Sequence, residues 1–327
     1  MTRTRKAACL LLAGLTLLLS GCGALSGTNS LGGGSDDGLV SITAGVAASQ
    51  SSTAVIVGAK HGFFQQNGID LTLAHAGTGA GAITQVINGQ QQVALGGISP
   101  VIIAAASKIP VTIVSGSVAD RPSDDGAQYQ TMVAGKSPVR SFRDLEGRTV
   151  AVNSLKCCWE FWIREAIRKD GGDPAKVKLV QLAFPDQVTA LKQGKVDAIS
   201  TAQPYATSLR QSGYRDIGDS PAVAFDDPSA DNTVFFMSRT FIKDHPGIVE
   251  RWRKAVQQSS EYANAHPEET RAAAVEQTGA DPKLVSTAPL PAYTSLVSRK
   301  VIEKEASFTV KYGVVDSAPQ YETYVAP

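Results

Sequence analysis

The sequence is poor in the features that most often reveal a function directly. Aromatic residues make up 6% of its 327 residues, and there are only four cysteines and four histidines. Basic and acidic residues nearly balance, at 31 against 30, and no long basic run occurs. Because a nucleic-acid-binding surface needs many basic side chains to neutralise phosphates, we expect no nucleic-acid partner. Four unevenly spaced cysteines also exclude a small domain held together by disulfides.

Long hydrophobic runs are missing as well. The longest predominantly apolar run, Ala7 to Leu19, covers thirteen residues, which is well short of the roughly 20 that a membrane-spanning helix needs. Basic residues precede it at Arg3, Arg5 and Lys6, a pattern typical of an export signal. We therefore expect residues 1–21 to direct export and to be removed.

The segment that ends this signal, Leu19-Ser20-Gly21-Cys22, resembles the bacterial lipobox. In that motif the cysteine is acylated and the signal is cut just before it, so the resemblance implies that Cys22 is lipidated and anchors the protein to a membrane. A soluble secretory signal, with Cys22 an ordinary thiol, is the alternative. Residues 22–38 are rich in Gly, Ser, Asn and Asp, which predicts a flexible lipid-anchored linker.

Short apolar segments alternate with helical patterns along the rest of the chain. Such alternation predicts an α/β fold with parallel strands, whose ligand sites lie at the carboxyl ends of the strands. Helix starts are predicted at Ser141 and Asp186, and helices at Ile248–Ala265 and Glu268–Thr278. The predicted strands are Val40–Thr43, Leu71–Leu73, Val93–Leu95, Val111–Val114, Thr131–Val133, Val150–Val152, Val177–Val180 and Thr233–Met237.

Two polar segments, Asp120–Gly126 and Gly218–Asp231, interrupt this pattern. If the chain crosses between two lobes at each of them, residues 39–120 plus 232–327 form lobe one and residues 121–231 form lobe two. A single domain, with both segments as surface loops, is the alternative.

Five motifs, in fixed order between about Leu39 and Tyr262, are similar to those of a known family. They are Lys60-His61-Gly62-Phe63-Phe64, Gly96-Gly97-Ile98-Ser99-Pro100, Ser141-Phe142-Arg143-Asp144-Leu145-Glu146-Gly147, Gln193-Gly194-Lys195-Val196-Asp197-Ala198 and Gln203-Pro204-Tyr205. They resemble motifs of the solute-binding proteins of ABC importers in the sulfonate, nitrate and thiamine-precursor group. The resemblance implies a periplasmic-binding-protein type II fold, in which two α/β lobes joined by two crossings close on a small molecule in the cleft between them. It also implies a monomeric extracytoplasmic binder that delivers its ligand to a membrane permease with a cytoplasmic ATPase.

In lobe one the candidate ligand-binding residues follow predicted strands. Gln50 comes after the first strand, Thr78 lies in the glycine-rich segment Gly77–Gly81, and Ser99 opens a helix before Pro100. Backbone N–H groups at helix starts attract anions, and amide and hydroxyl side chains offer hydrogen bonds. The glycines could instead serve a turn, Ser99 could be only a helix cap, and Gln50 could be an exposed loop amide.

In lobe two the candidates are Ser154, Cys157 and Trp159, at a predicted helix start, and Gln203, for which an exposed loop amide is the alternative. Adjacent cysteines have Cα atoms about 3.8 Å apart, too close for an ordinary disulfide. No histidine stands at metal-ligand spacing from Cys157 and Cys158. We therefore interpret the pair as small, polarizable lining of a pocket or core, with a metal site as the alternative.

None of these seven candidates is a carboxylate, so the predicted pocket suits a small anion or a polar heterocycle better than a cation. We expect a sulfonate-like anion first, and a thiamine-precursor pyrimidine or an aromatic compound second. No catalytic residue, cofactor or metal is expected. The pair Cys157-Cys158 also resembles part of the CCCFC segment of fungal thiamine-pyrimidine synthases, which supplies an enzyme as an alternative function. A structural surface lipoprotein is a further alternative.

Overall fold

The computed structural model describes residues 38–47, 49–77, 79–120, 127–230 and 233–327. The predicted export signal, Cys22, most of the predicted linker and Thr78 lie outside the described residues. Within those ranges, no helix is long and apolar enough to cross a membrane. Helices and two β-sheets make up the structure, which confirms the predicted α/β class.

Eleven strands occur in the described part of the chain, and they include every strand that the sequence predicts. In chain order they are β1 (Val40–Val46), β2 (Ile69–His75), β3 (Val93–Gly97), β4 (Val111–Ala119), β5 (Tyr129–Val133), β6 (Thr149–Val152), β7 (Lys178–Gln181), β8 (Ala198–Ala202), β9 (Arg215–Asp216), β10 (Thr233–Ser238) and β11 (Ala292–Tyr293).

Most α-helices connect these strands, as expected for βα units. In chain order the helices of the described ranges are α1 (Thr53–Lys60), α2 (Phe63–Gln66), α3 (Ala80–Ile87), α4 (Ile98–Ala106), α5 (Cys158–Lys169), α6 (Phe184–Lys192), α7 (Tyr205–Gln211), α8 (Ser220–Phe225), α9 (Arg239–Asp244), α10 (Ile248–Ala265), α11 (Pro267–Thr278), α12 (Pro282–Thr287) and α13 (Arg299–Lys311). Short 3-10 helices lie at Gln50–Ser52, Phe142–Leu145, Pro174–Lys176 and Tyr321–Thr323.

The first sheet has six strands in the order β11-β4-β10-β3-β1-β2. β1 runs parallel to β2 and β3, whereas β10 runs antiparallel to its neighbours β3 and β4. Eight of the nine residues of β4 are buried, since helices cover the sheet. On α10, Trp252 packs against Phe64 and Phe235, each at a ring-centroid distance of 5.2 Å.

The second sheet has five strands in the order β7-β6-β8-β5-β9. β6 is parallel to β7 and β8, and β5 is antiparallel to β8 and β9. Every residue of β5 and β8 is buried, including the polar side chains of Gln130, Thr131, Ser200 and Thr201. The predicted lobe boundaries stay predictions, because both connecting segments fall partly outside the described residues.

The last long helix, α13, packs against α4, which follows a strand of the first sheet, and against α5, which follows a strand of the second. Its buried side chains recur at helical spacing: Val301, Ile302, Glu305, Ala306, Phe308 and Thr309. At its end, Lys311 forms an ion pair with Glu165 of α5. The helix therefore joins elements of both sheets.

One local prediction was wrong, and one of the two polar segments contains a helix. α6 begins at Phe184, with Pro185 in its first turn, so Asp186 lies inside the helix rather than at its cap. The polar segment Gly218–Asp231 contains the helix α8, where the Asp219 side chain accepts a hydrogen bond from the backbone N–H of Ala222. Proline in the first turn stabilises both helix starts, because its missing N–H would have no helical partner there.

Candidate functional site: a cleft between the sheets

A cleft of about 130 Å³ lies at the carboxyl ends of strands from both sheets. β1 and β3 end at Val46 and Gly97, and β6 and β8 end at Val152 and Ala202. Residues at or just beyond each of these ends line the cleft. Ligands bind at this position in open α/β sheets, because loops and helix starts converge there.

The wall that the first sheet contributes is built mainly from small residues. It presents Ala47, Ser49, Ser51, Gly77, Gly79, Leu95, Gly96, Gly97, Pro100 and Thr233. The helices α3 and α4 begin here, with Gly79 and Gly97 at their N-caps, and a glycine has no side chain with which to cap its helix. Their first backbone N–H groups have no partner within the helix and carry the positive end of the helix dipole.

Gly97 lies close to the opposite wall of the cleft. A Cβ atom at this position would lie 3.0 Å from the Sγ of Cys158, closer than normal contact. The backbone of Gly97 is extended, with φ −74° and ψ 160°, so any residue could adopt its conformation. A side chain at this position would therefore press on Cys158, so the preference for glycine comes from space and not from backbone strain.

The opposite wall, from the second sheet, is aromatic. Trp159 of α5 lies at its centre, with ring-centroid distances of 5.3 Å to Phe184, 5.5 Å to Tyr129 and 5.2 Å to Trp162. All four rings line the cleft. The Tyr129 hydroxyl lies 3.4 Å from the hydroxyl of Thr233 on β10, so this contact joins the two sheets at the edge of the cleft.

Two free thiols complete the aromatic wall. Cys157 is the N-cap of α5, its Sγ lies 2.7 Å from the Oγ of Ser154, and Cys158 donates to it over 3.9 Å. The hydrogen bond from Cys158, helped by the one from Ser154, lowers the pKa of Cys157 although burial opposes it. The same contact and complete burial raise the pKa of Cys158. Cys157 is therefore the more readily ionised thiol of the pair.

Three of the seven predicted ligand-binding residues line the cleft: Ser154, Cys157 and Trp159. The interpretation of Cys157 and Cys158 as pocket lining agrees with their position. Thr78 lies outside the described residues, although Gly77 and Gly79 on either side of it line the cleft. The binding roles of all these residues remain predictions.

Ser99 points away from the cleft, into the interior. It is fully buried, and its hydroxyl hydrogen-bonds the Oε1 of Glu305 on α13. The other oxygen of Glu305 accepts a hydrogen bond of 3.1 Å from the Nε1 of Trp162. One buried carboxyl group thus connects α4, α5 and α13 directly behind the cleft. Burial raises the pKa of Glu305 to about 7, although both hydrogen bonds lower it.

The two predicted amides also point inward. The side chain of Gln203 donates to the carbonyl of Ala127 over 3.0 Å and accepts from the backbone and hydroxyl of Thr207, so its hydrogen bonds serve the fold. Gln50 is fully buried, and neither of its amide atoms has a hydrogen-bond partner among the described residues. Neither residue lines the cleft.

The sequence reasoning missed several lining residues. Tyr129 and Phe184 lie in segments that suggest only core packing, so no signal separated them from other buried rings. Glu305, which lies behind the cleft and does not line it, could have been found, because it occupies the apolar stripe of an amphipathic helix between Ile302 and Ala306. A carboxyl group at such a position must be buried with partners.

Charged side chains are missing from the described lining of the cleft. Among the described residues that line it, none is Asp, Glu, Lys, Arg or His. Across the described ranges, no group of three or more His, Cys, Asp and Glu residues is placed to hold a metal ion. Backbone dipoles, hydroxyls, thiols and aromatic rings therefore dominate the chemistry of the described lining.

A family model described as NMT1/THI5 like matches residues 49–270, a span that includes most of both cleft walls. The chain belongs to the NMT1/THI5-like family. This confirms the family resemblance that the sequence motifs carry.

Similar proteins agree with this assignment. The taurine-binding periplasmic protein of Escherichia coli K12 is 22% identical over 216 residues, which cover 66% of this chain and 64% of that protein. The match thus spans somewhat less than two thirds of the relative's length. Among solved structures, the periplasmic aliphatic sulphonate binding protein SsuA from Escherichia coli superposes with a TM-score of 0.70 and 17% identity, over 88% of this chain and 92% of that one. The fold is that of a periplasmic binding protein of type II, as predicted.

An enzyme shares the same fold. The desulfurization enzyme DszB, as a mutant in complex with biphenyl-2-sulfinic acid, superposes with a TM-score of 0.64 and 16% identity, over 88% of this chain and 96% of that chain. At such low identity the similarity shows the fold alone, so function must be argued from the cleft itself.

Proposed function

We propose that this NMT1/THI5-like protein is the extracytoplasmic solute-binding protein of an ABC importer and captures a small sulfonate-like anion in the cleft. The observation that carries the proposal is the contrast between the walls of the cleft. One wall presents the starts of α3 and α4, whose N-cap residues are glycines, and the other presents the rings around Trp159. A ligand with an oxyanion at one end and an organic group at the other matches both.

The described lining favours an anion over a cation for two reasons. Helix starts place partial positive charge and free N–H donors at the first wall. No Asp or Glu among the described lining residues offers a counter-charge to a cation. A sulfonate is a weak base that stays ionised and accepts several hydrogen bonds, so neutral donors can hold it without a basic side chain.

A second candidate ligand is a thiamine-precursor pyrimidine or another aromatic compound. The observation that favours it is the set of rings around Trp159, on which a flat heterocycle could stack. Like the sulfonate proposal, this one treats the protein as a binder and not as an enzyme.

Transport follows from lobe closure in this proposal. Lobe one (39–120 plus 232–327) and lobe two (121–231) close on the ligand, exclude water and present the loaded protein to a permease and its ATPase. The protein acts as a monomer on the outer side of the cell membrane, held there by a lipid on Cys22. The names of the taurine and sulphonate binding relatives support a periplasmic binding role, which is the first step of this proposal.

The ligand class can be tested by thermal unfolding of the full chain, purified in detergent, with one compound from each class. Ethanesulfonate, nitrate, a hydroxymethylpyrimidine and benzoate are added in turn. A ligand at a hundredfold excess over its Kd stabilises the folded state by about 2.7 kcal/mol, which raises Tm by several degrees. We expect the sulfonate to give the largest shift. A shift with the pyrimidine alone would favour the second candidate, and no shift with any compound would contradict a binding role.

The anchor is tested separately by expressing the full chain with Cys22→Ser. We expect the wild-type protein in the membrane fraction with a lipid mass on its N-terminal peptide, and the variant without that mass. Cys157→Ser is the matched control and should stay lipidated. Equal membrane retention and equal peptide mass for wild type and Cys22→Ser would contradict lipidation at this residue.

A further inference from the structure

The proposed function assigns no chemistry to the adjacent thiols of Cys157 and Cys158. Both residues are free cysteines at the start of α5, and both are buried and line the cleft. The Sγ of Cys158 donates a hydrogen bond to the Sγ of Cys157 over 3.9 Å. Two thiols therefore lie side by side in one wall of the cleft.

A disulfide between these two residues is disfavoured. Neighbouring Cα atoms lie about 3.8 Å apart, whereas the Cα atoms of bridged cysteines usually lie roughly 4.4–6.8 Å apart. The Sγ–Sγ distance of 3.9 Å is also nearly twice the length of a disulfide bond, which is about 2.05 Å. The pair therefore resists oxidation to a disulfide and stays available as a dithiol.

The separation of the two sulfurs suits a single atom bound between them. Two sulfurs that each bind one atom at about 2.3 Å, the length of a zinc–thiolate bond, lie roughly 3.3–3.8 Å apart when the bond angle is about 90–110°. Bonds between trivalent arsenic and sulfur are of similar length. A small side-chain rotation would bring the two Sγ atoms of the pair from 3.9 Å into this range.

The number of sulfurs separates trivalent arsenic from a metal ion. A structural zinc ion is held by four ligands, and across the described ranges no group of three or more His, Cys, Asp and Glu residues is placed to hold a metal. Trivalent arsenic forms three bonds, so an arsenic atom that already carries one organic substituent needs only two sulfurs. The pair therefore supplies a complete set of ligands for such a compound.

The surroundings of the pair favour an apolar substituent on the arsenic. The rings of Tyr129, Trp159 and Phe184 line the same cleft, and none of its described lining residues carries a formal charge at neutral pH apart from an ionised thiol. Cys157 also lines a neighbouring cavity of about 550 Å³, which gives an organic group room. Arsenic with a phenyl group therefore matches the site better than inorganic arsenite, whose third substituent is a hydroxyl group.

We propose that Cys157 and Cys158 form a chelating site for trivalent organoarsenicals with an aryl or alkyl substituent. In water such a compound carries two hydroxyl groups on arsenic. Each thiol proton passes to one of these hydroxyl groups, which leaves as water, so two arsenic–sulfur bonds replace two arsenic–oxygen bonds. Arsenic stays trivalent, and neither an oxidant nor a reductant is consumed. The inference does not depend on which solute the cleft carries.

Phenylarsine oxide tests the site on the full chain. The protein is purified in detergent, reduced with a phosphine, freed of the reductant and mixed with one equivalent of the reagent. Trypsin cleaves after Lys156 and Arg164, so the peptide 157–164 contains both thiols. We expect mass spectrometry to find this peptide heavier by one phenylarsenic group less two hydrogen atoms. The adduct should survive a wash with mercaptoethanol, a monothiol, and be removed by dithiothreitol, which chelates arsenic itself.

Two single-thiol variants locate the chelate. Cys157→Ser and Cys158→Ser each leave one sulfur of the pair, so affinity for phenylarsine oxide should fall at least about 100-fold because the second, intramolecular bond is lost. Affinity is measured by quenching of Trp fluorescence, and circular dichroism checks folding. Cys22→Ser is the matched control, because it removes a different cysteine and keeps both thiols of the pair. It should bind like the wild type.

The outcomes are distinct from those that test the proposed function. The absence of phenylarsenic on the peptide 157–164, or its removal by the monothiol, would overturn the site without recourse to any variant. Equal affinities of the wild type and both single-thiol variants would also overturn it. Inorganic arsenite that binds as tightly as phenylarsine oxide would overturn the preference for an organic substituent. None of these results bears on sulfonate binding, which is measured separately.

Discussion

The wall of the cleft that comes from the first sheet consists mainly of glycine, serine and alanine, whereas the wall from the second sheet consists mainly of aromatic rings and thiols. Gly97 and Trp159 represent the two kinds of wall. Both walls begin at the carboxyl ends of parallel strands and both include helix starts, so the fold does not cause the difference. The difference between the walls comes from which residues stand at these positions.

The difference indicates a division of roles between the walls. Small residues allow the backbone of the first wall to come close to a ligand, so its N–H groups can hold an oxyanion. Large rings on the second wall offer apolar area and restrict orientation. Substitutions that change one wall at a time, or the buried carboxyl group of Glu305 behind both walls, can separate these roles.

The largest effect is expected from filling the small-residue wall. Gly97→Leu places a side chain where even a Cβ atom lies 3.0 Å from the Sγ of Cys158. We expect ligand binding to fall below detection in calorimetry, because the side chain takes up the cleft of about 130 Å³. Circular dichroism serves as the control for folding. A folded Gly97→Leu protein with wild-type affinity would contradict the placement of the ligand.

The buried carboxyl group of Glu305, which connects α4, α5 and α13 behind the cleft, can be tested by the pH dependence of stability. The pKa of Glu305 is raised to about 7 by burial, so the folded state binds a proton more tightly than the unfolded state. The contribution of Glu305 to the free energy of unfolding is therefore largest below about pH 4.5, falls as pH rises to 7, and is constant above it. The total fall is roughly 3 kcal/mol.

Glu305→Gln removes this titration, while its neutral amide can still bond Ser99 and Trp162. We expect the variant and the wild type to unfold with similar free energies at pH 4.5, and the variant to be more stable at pH 8. Asp219, whose pKa is also raised by burial, is present in both proteins and cancels in the difference. Parallel stability curves in urea across this pH range would contradict the role of Glu305.

A smaller effect is expected from truncating the aromatic wall. Trp159→Ala removes the ring that touches Phe184, Tyr129 and Trp162 and should weaken ligand binding by roughly 2 kcal/mol, about 30-fold. Trp159→Phe keeps a ring and should recover most of the loss. Unchanged affinity in the alanine variant would show that the second wall does not contact the ligand.

The smallest effect on ligand affinity is expected from changing the thiol of Cys157. Cys157→Ser keeps a small hydrogen-bonding group beside Ser154 and should change affinity by less than about threefold. Its reactivity should differ more than its binding, because the pKa of Cys157 is lowered and that of Cys158 is raised. Peptide mass spectrometry after brief alkylation at pH 8 should find Cys157 labelled first, and faster labelling of Cys158 would be inconsistent with this geometry.

The fold could be predicted from the sequence because strand and helix patterns are local. The apolar, β-branched segment Val111–Val114 lies within β4, and the helical pattern of Ile248–Ala265 extends over the whole of α10. The start of α6 could not be placed, since its cap is Ala183, which carries no capping side chain. Because the strands were predicted correctly, the residues at their carboxyl ends were identified, and with them the position of the cleft.

The direction of side chains could not be predicted in the same way. Ser99 and Gln203 follow strands just as Ser154 does, but they point inward because distant partners take up their hydrogen bonds. Glu305, which bonds Ser99, lies more than 200 residues away along the chain. Local sequence contains no signal for such a pairing.

The most direct test of the central claim compares ligands of opposite charge on the same ring. Benzenesulfonate and benzylamine are titrated into the full chain by calorimetry at pH 7. If the small-residue wall holds an oxyanion through backbone N–H groups, benzenesulfonate should bind at least about 100-fold more tightly, because charge-assisted hydrogen bonds contribute roughly 1.5–3 kcal/mol each. Equal affinities, or tighter binding of the amine, would contradict the account.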